Sequence, residues 1–181
     1  MDTQANDITE LISAKRLKKR VEELAEEICG TVGGEEITAV CVLKGALMFM
    51  TDTIRHLKLP LNVEFMQVRS YEGTGSTGNI EVLSDVGGLC GKNVVVFEDI
   101  IDTGATLDFL QKHLAAKAPK RLLTCVLLDN PARRTMPNIT PDFTGFIIPN
   151  KFVVGYGLDY EQKYRNLPYI GTIDGGKENE Q

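Results

Sequence analysis

The sequence predicts an α/β fold: a central, mainly parallel sheet flanked by helices. Three observations carry that prediction. Residues 37–43, 94–97 and 121–128 are short apolar runs rich in β-branched residues, as strands buried on both faces require. The first two runs each lead through a short loop into a segment with helical potential, 46–56 and the series Leu107, Leu110, Leu114. No internal repeat and no linker interrupts the 181 residues, so residues 1–181 are read as a single domain.

Composition removes several classes of function. Apolar residues make up 43% and charged residues 25%, which suits a globular core rather than disorder. The net charge of −5 argues against a general nucleic-acid binder. The longest apolar stretch, 39–50, is broken by Lys44 and Gly45 and is too short to span a bilayer, so no membrane role is expected. The opening MDTQANDITE is polar and acidic, unlike a signal peptide. Cys29, Cys41, Cys90 and Cys125 show no metal-binding spacing, and Cys41 and Cys125 sit inside apolar runs as small core residues. These features predict a cytoplasmic protein with reduced thiols. His56 and His113 stand alone on predicted helices and are read as surface or core residues, not ligands.

Taken in order, residues 1–12 read as a loose lead-in. Ser13 caps a helix that runs to about Cys29, with Leu17, Val21, Leu24 and Ile28 on one face. The basic cluster Lys15, Arg16, Lys18, Lys19 and Arg20 is a solvated face, because Glu22, Glu23, Glu26 and Glu27 follow at once. Gly30, Gly33 and Gly34 make the turn out. After the strand 37–43, Lys44 and Gly45 sit between a strand's carboxyl end and a helix N-terminus, where a cation and free N–H groups favour an anion. Residues 62–69 form a third strand and 80–83 a returning one. Between them, SYEGTGSTGN holds three glycines and little to bury, and reads as a mobile hairpin tip.

The centre of the chain is VVVFEDIIDTGATL, 94–107. Glu98, Asp99 and Asp102 at the end of a buried strand are costly unless something uses them. Ligands of open α/β sheets bind at the carboxyl ends of the strands. Glu98 and Asp99 can hold sugar hydroxyls or a hydrated Mg²⁺, and Asp102, Thr103, Gly104, Ala105 and Thr106 can wrap a phosphate at a helix N-terminus. A ligand needing both halves is a ribose phosphate. The helix runs to about Lys117, and Pro119 ends it. Strands follow at 121–128, 143–148, 152–154 and 169–173, and the polar tail 174–181 reads as loose.

Two acids followed by DTG and Thr resemble the signature of type I phosphoribosyltransferases. In detail, EDIIDTG, LKG at 43–45, KFVVGYGLDY at 151–160 and YRNLP at 164–168 resemble the hypoxanthine-guanine phosphoribosyltransferase family. The resemblance covers roughly 11–173 and implies the type I fold, with a small hood built from the chain termini. It implies transfer of phosphoribose from phosphoribosyl pyrophosphate to a 6-oxopurine, hypoxanthine and/or guanine, giving IMP or GMP and pyrophosphate, with Mg²⁺ as cofactor and a homodimer or homotetramer as the assembly. Asp102 would be the general base near N7 of the purine. Glu98 and Asp99 would bind the ribose hydroxyls, directly or through Mg²⁺, and Asp159 a second Mg²⁺. Asp102 to Thr106 would hold the 5′-phosphate. Lys44 and Gly45, Arg165, and Ser70 with Tyr71 on a closing lid would meet the pyrophosphate. Phe152 would stack on the base and the Val153 backbone would read its exocyclic edge. A cis peptide between Leu43 and Lys44 is a further implication, and Arg134 would orient the pyrophosphate or the acids.

One position departs from the pattern. Where the family places a lysine that donates to the purine O6, this chain has Asn130. An amide can still donate, but it carries no charge and also accepts. Base choice is therefore open, with hypoxanthine, guanine and xanthine all in view. Two other readings compete: a non-enzymatic nucleotide-sensing regulator on the same fold, and a relative of phosphoribosyl pyrophosphate synthetase. The acidic charge and the filled catalytic set weigh against the first; the short chain and the KFVVGYGLDY segment weigh against the second.

Overall fold

The computed structural model describes residues 8–70 and 80–173. Its main sheet has six strands: β2 (Ile37–Leu43), β3 (Leu61–Ser70), β4 (Ile80–Ser84), β5 (Asn93–Ile101), β6 (Arg121–Asp129) and β7 (Phe143–Ile147). They lie in the order β4-β3-β2-β5-β6-β7. All neighbours are parallel except β3 and β4. The reason is visible in β2 and β5, whose side chains alternate between two apolar layers. Ala39, Cys41, Val95 and Phe97 face the layer of α1 (Ala14–Val32) and α2 (Leu47–Ile54). Val40, Val42, Val94 and Val96 face the layer of α3 (Ala105–Ala115), with Leu110 and Leu114.

A second sheet is built from the two ends of the described chain. β1 (Ile8–Ile12), β8 (Val153–Val154) and β9 (Ile170–Ile173) form three antiparallel strands in the order β1-β9-β8. This is the hood. The lead-in expected over residues 1–12 is therefore corrected for residues 8–12: Ile8 pairs with Ile173 and Ile12 with Ile170, and Ile12 is buried. Residues 1–7 and 174–181 lie outside the described residues, as does the glycine-rich stretch 71–79 with Tyr71.

The helices begin and end where their caps allow. The Ser13 side chain accepts from the Arg16 N–H at 3.3 Å and starts α1. That helix runs through Gly30 and stops at Gly33, whose φ of 71° suits a left-handed C-cap. Arg20 leaves the expected solvated face and donates to the carbonyls of Gly145 and Thr144, tying α1 to β7. His56 falls in the turn after α2, and His113 on α3 bonds Asp85 at 3.0 Å. No helix among the described residues is long and apolar enough to cross a membrane.

Phe49 of α2 and Phe97 of β5 lock helix to sheet, edge to face with ring centroids 5.6 Å apart and both rings fully buried. Phe49→Ala removes that contact and leaves a cavity, so it should cost about 3–5 kcal/mol. Urea unfolding with an unchanged m-value checks this, and a midpoint close to wild type would show that the layer can collapse around the gap.

Candidate active site

β2 and β5 stop pairing at Cys41 and Phe97, while β5 continues beside β6 as far as Ile101 and Asp129. The crevice lies where the strand order reverses, with β3 on one side of β2 and β6 on the far side of β5. A cavity of about 340 Å³ opens there, lined by Val42, Leu43, Lys44, Gly45, Val68, Glu98, Asp99, Thr106, Asp159 and Arg165. Seven of the residues singled out in the sequence for substrate or metal, Thr106 among them, are thus gathered around one space.

Glu98 and Asp99 lie inside β5 rather than past its end. Glu98 is only 8% exposed, and its Oε2 is buried with no hydrogen-bond partner. Burial, and then the neighbouring Asp99, hold its carboxyl well above the usual carboxylate range. Burial also pushes Asp99 up to about 6, against the pull of the Ile100 N–H and Arg165. The same charges and burial raise the Cys41 thiol to about 12, which leaves it an inert core group.

Lys44 follows a cis peptide bond between Leu43 and Lys44. Its Nζ donates to Gln162 Oε1 at 3.4 Å. Behind it, Gly45 has no room for a side chain: a Cβ there would lie 1.4 Å from Asp99 Oδ2. Gly157, at φ 107°, is equally confined, since its Cβ would sit 2.0 Å from the Gly45 carbonyl oxygen. The backbone of the 155–165 segment is therefore laid directly on the 44–45 loop. Arg165 fastens that segment by donating to the Gly157 carbonyl at 2.7 Å and pairing with Asp159 at 2.5 Å. Tyr156 anchors it to α2 through a 2.6 Å bond to Asp52.

Residues 102–106, expected to wrap a phosphate, form a turn whose backbone is held from outside. Gly104 caps α3 at φ 93°, and the Thr103 hydroxyl accepts from the Ala105 N–H at 3.3 Å. The Thr103 carbonyl accepts from the N–H groups of Thr135 and Met136. Arg134 donates to the carbonyls of Asp102 and Ile139 and to the Asp129 carboxylate. Arg134 thus braces the loop from behind, a backbone role that its sequence position did not reveal. The Asp102 carboxylate receives Asn130 Nδ2 at 3.2 Å and Arg133 Nη1 at 2.9 Å. Arg133, on the 3-10 turn Pro131–Arg133, is the contact that sequence reading missed. Phe152 stands 46% exposed, edge-on to Tyr160, and Val153 begins β8 at the margin of the hood. Ser70 closes β3 and leads into the undescribed stretch.

A family model described as phosphoribosyl transferase domain matches residues 7–161. The chain belongs to that family. Among its relatives, a bifunctional TilS/HprT protein of Listeria innocua is 42% identical over 175 residues, 95% of this chain. The chain spans about a quarter of that relative's length, 27%. A hypoxanthine-guanine phosphoribosyltransferase of Mycobacterium tuberculosis is 40% identical over 172 residues, covering 91% of this chain and 85% of the relative. A crystal structure of a hypoxanthine-guanine phosphoribosyltransferase from Bacillus anthracis superposes with a TM-score of 0.88 at 44% identity, covering 93% of this chain and all of that one.

In this member of the family the acid pair is short of positive charge. No three acid, histidine or cysteine side chains converge tightly enough among the described residues to cage a metal ion. The orphaned Glu98 oxygen and the raised acids do fit Mg²⁺ that keeps waters and borrows oxygens from a substrate.

The Asp99 shift has a measurable sign. A carboxyl raised from 3.8 to about 6 binds its proton more tightly in the folded chain than in the unfolded one. Its ionisation therefore costs stability, from nothing below pH 3.8 to the full amount above about pH 6. In chelator-treated protein, Asp99→Asn should be more stable than wild type above about pH 6, and the gain should fade as pH falls toward 3.8. Urea unfolding across that range checks it. A difference that does not vary with pH would mean that Asp99 titrates normally.

Proposed function

We propose that the chain transfers the phosphoribosyl group of phosphoribosyl pyrophosphate to a 6-oxopurine, hypoxanthine and/or guanine, giving IMP or GMP and pyrophosphate. The observation that carries this reading is the Asp102 carboxylate, fixed by two donors at the mouth of the Asp102–Thr106 loop, just past the strand that holds the buried acid pair. The relatives named hypoxanthine-guanine phosphoribosyltransferase, aligned over most of both chains, support the same reading. We include in it action as one domain, a homodimer or homotetramer, and a cytoplasmic setting.

Each group has a task in that reaction. The Asp102–Thr106 loop receives the 5′-phosphate on free N–H groups at the start of α3. Glu98 and Asp99 take the ribose hydroxyls. Lys44, Gly45 and Arg165 hold the pyrophosphate, with Ser70 and Tyr71 closing from the hairpin. Phe152 stacks on the base, and the Val153 backbone meets its exocyclic edge. Mg²⁺ would be held by Glu98, Asp99 and Asp159 and would supply, when bound, neutralisation of the negative charge that gathers on the leaving pyrophosphate. N9 of the purine forms its bond to C1′ as the bond from C1′ to the pyrophosphate oxygen breaks. The proton on N7 passes to Asp102, and its electron pair returns to the ring. The Asn130 amide, bonded to Asp102, belongs to the base end of the site.

Pyrophosphate release with hypoxanthine, guanine, xanthine and adenine tests the reading directly, since release with none of them would overturn it. Asp102→Asn should lower turnover by about 10²–10⁴-fold, the usual worth of a positioned general base. The Michaelis constant for phosphoribosyl pyrophosphate should stay close to wild type. Undiminished turnover in that variant would remove Asp102 from the chemistry.

A further inference from the structure

Asn130 is 1% exposed, so its amide is enclosed by the fold. One N–H of its Nδ2 goes to Asp102 Oδ1, and its Oδ1 is buried without a hydrogen-bond partner. Swinging that nitrogen outward toward a base would break the bond to Asp102 and leave the carboxylate to Arg133 alone. Arg133 is placed differently. Its side chain is 44% exposed, and among the described residues its guanidinium makes one hydrogen bond, from Nη1 to Asp102 Oδ2 at 2.9 Å. The remaining N–H donors of its planar fork face no protein acceptor in the described residues. The two side chains therefore hold one carboxylate from its two oxygens, the buried amide on one and the exposed cation on the other.

We propose that Arg133 is the residue that reads the 6-oxo group of the base, and that Asn130 is a positioning residue that fixes Asp102. This rests on the function proposed above. N7 and O6 are neighbours on one edge of a 6-oxopurine, and the arginine fork matches that edge. A carboxylate that faces N7 has O6 beside it. A donor already 2.9 Å from that carboxylate needs only to share its fork to reach the oxo group. The position that resembles the family's lysine site holds an uncharged amide, and the cation reappears three residues later, on the turn that Pro131 opens. Arg134, the adjacent arginine, is committed to the backbone of the loop and to Asp129, so it does not compete for the role.

The test uses the full chain with saturating Mg²⁺ and compares Arg133→Gln, Arg133→Lys and the double variant Arg133→Gln/Asn130→Lys. Arg133→Gln should raise the Michaelis constants for hypoxanthine and guanine about tenfold or more, the scale of a lost charge-assisted hydrogen bond. The constant for phosphoribosyl pyrophosphate should hold, which also certifies the fold. Inhibition by unsubstituted purine, which lacks the oxo group, should hold as well. Arg133→Lys should recover most of the loss, and so should the double variant, which returns a cation from position 130. Unchanged base constants in Arg133→Gln would overturn the proposal. Equal weakening of hypoxanthine and unsubstituted purine would also overturn it, since Arg133 would then only shape the loop. Faster turnover would assign it instead as a brake on Asp102. Wild-type protein that releases no pyrophosphate with any base would fail the underlying reading, a result separate from all of these.

Discussion

A carboxylate in the middle of a sheet meets two opposed demands. The apolar layers on either side of β5 exclude water, while Glu98 and Asp99 need water, a cation or donors to carry charge. The fold gives Asp99 only backbone N–H groups and leaves a Glu98 oxygen with nothing. The chain keeps the imbalance instead of filling it, and the parts around it are arranged on that basis. The β2 strand ends its pairing just before the acids, Asp159 and Arg165 close the far wall, and Lys44 stands at the rim. A site that is electrostatically incomplete when empty has differential affinity for whatever completes it, and that preference suits a polyanionic substrate arriving with a divalent cation.

The third acid is treated in the opposite way. Asp102 lies at the protein surface side of the same loop and is given two donors, one neutral and one charged. The two treatments divide the labour. The buried pair lacks positive charge, and Asp102 is held in one orientation by its donors. Arg134 makes that orientation durable, because the carbonyl beneath Asp102 and the strand β6 beside it are tied to one guanidinium.

The parts legible in the sequence were those whose causes are local. Strand β2 is read to the residue, because a strand buried on both faces must be apolar throughout. The DTGAT turn shows itself because small residues before a helical repeat have few other uses. What escaped depends on distant partners. Strand β1 carries polar Thr9 and Glu10 and becomes a strand only through β9, more than 150 residues later. Arg133 meets Asp102 across 31 positions, and no spacing rule joins them. Arg20 looked solvated because its acids are adjacent in sequence while its carbonyl partners lie on β7. The match of Gly45 to Gly157 is likewise a fact of tertiary contact, visible only once both loops are in place.

That contact makes the two ends of the site unequal in their freedom to change. At Gly45 the layers Asp99, Gly45 and Gly157 are stacked with bare backbone between them, so the gap between acid and cation-bearing segment is set by the thickness of a peptide unit. Such a spacer has no adjustable part. Any side chain at either glycine pushes one wall of the cavity away from the other, and no neighbour can shrink to compensate. The base end is lined instead by long side chains whose reach can be traded, as an amide at 130 and a guanidinium at 133 illustrate. Under the proposed function, new base preferences arise by exchanging side chains over 130–133, while the sugar and phosphate end stays fixed to its dimensions.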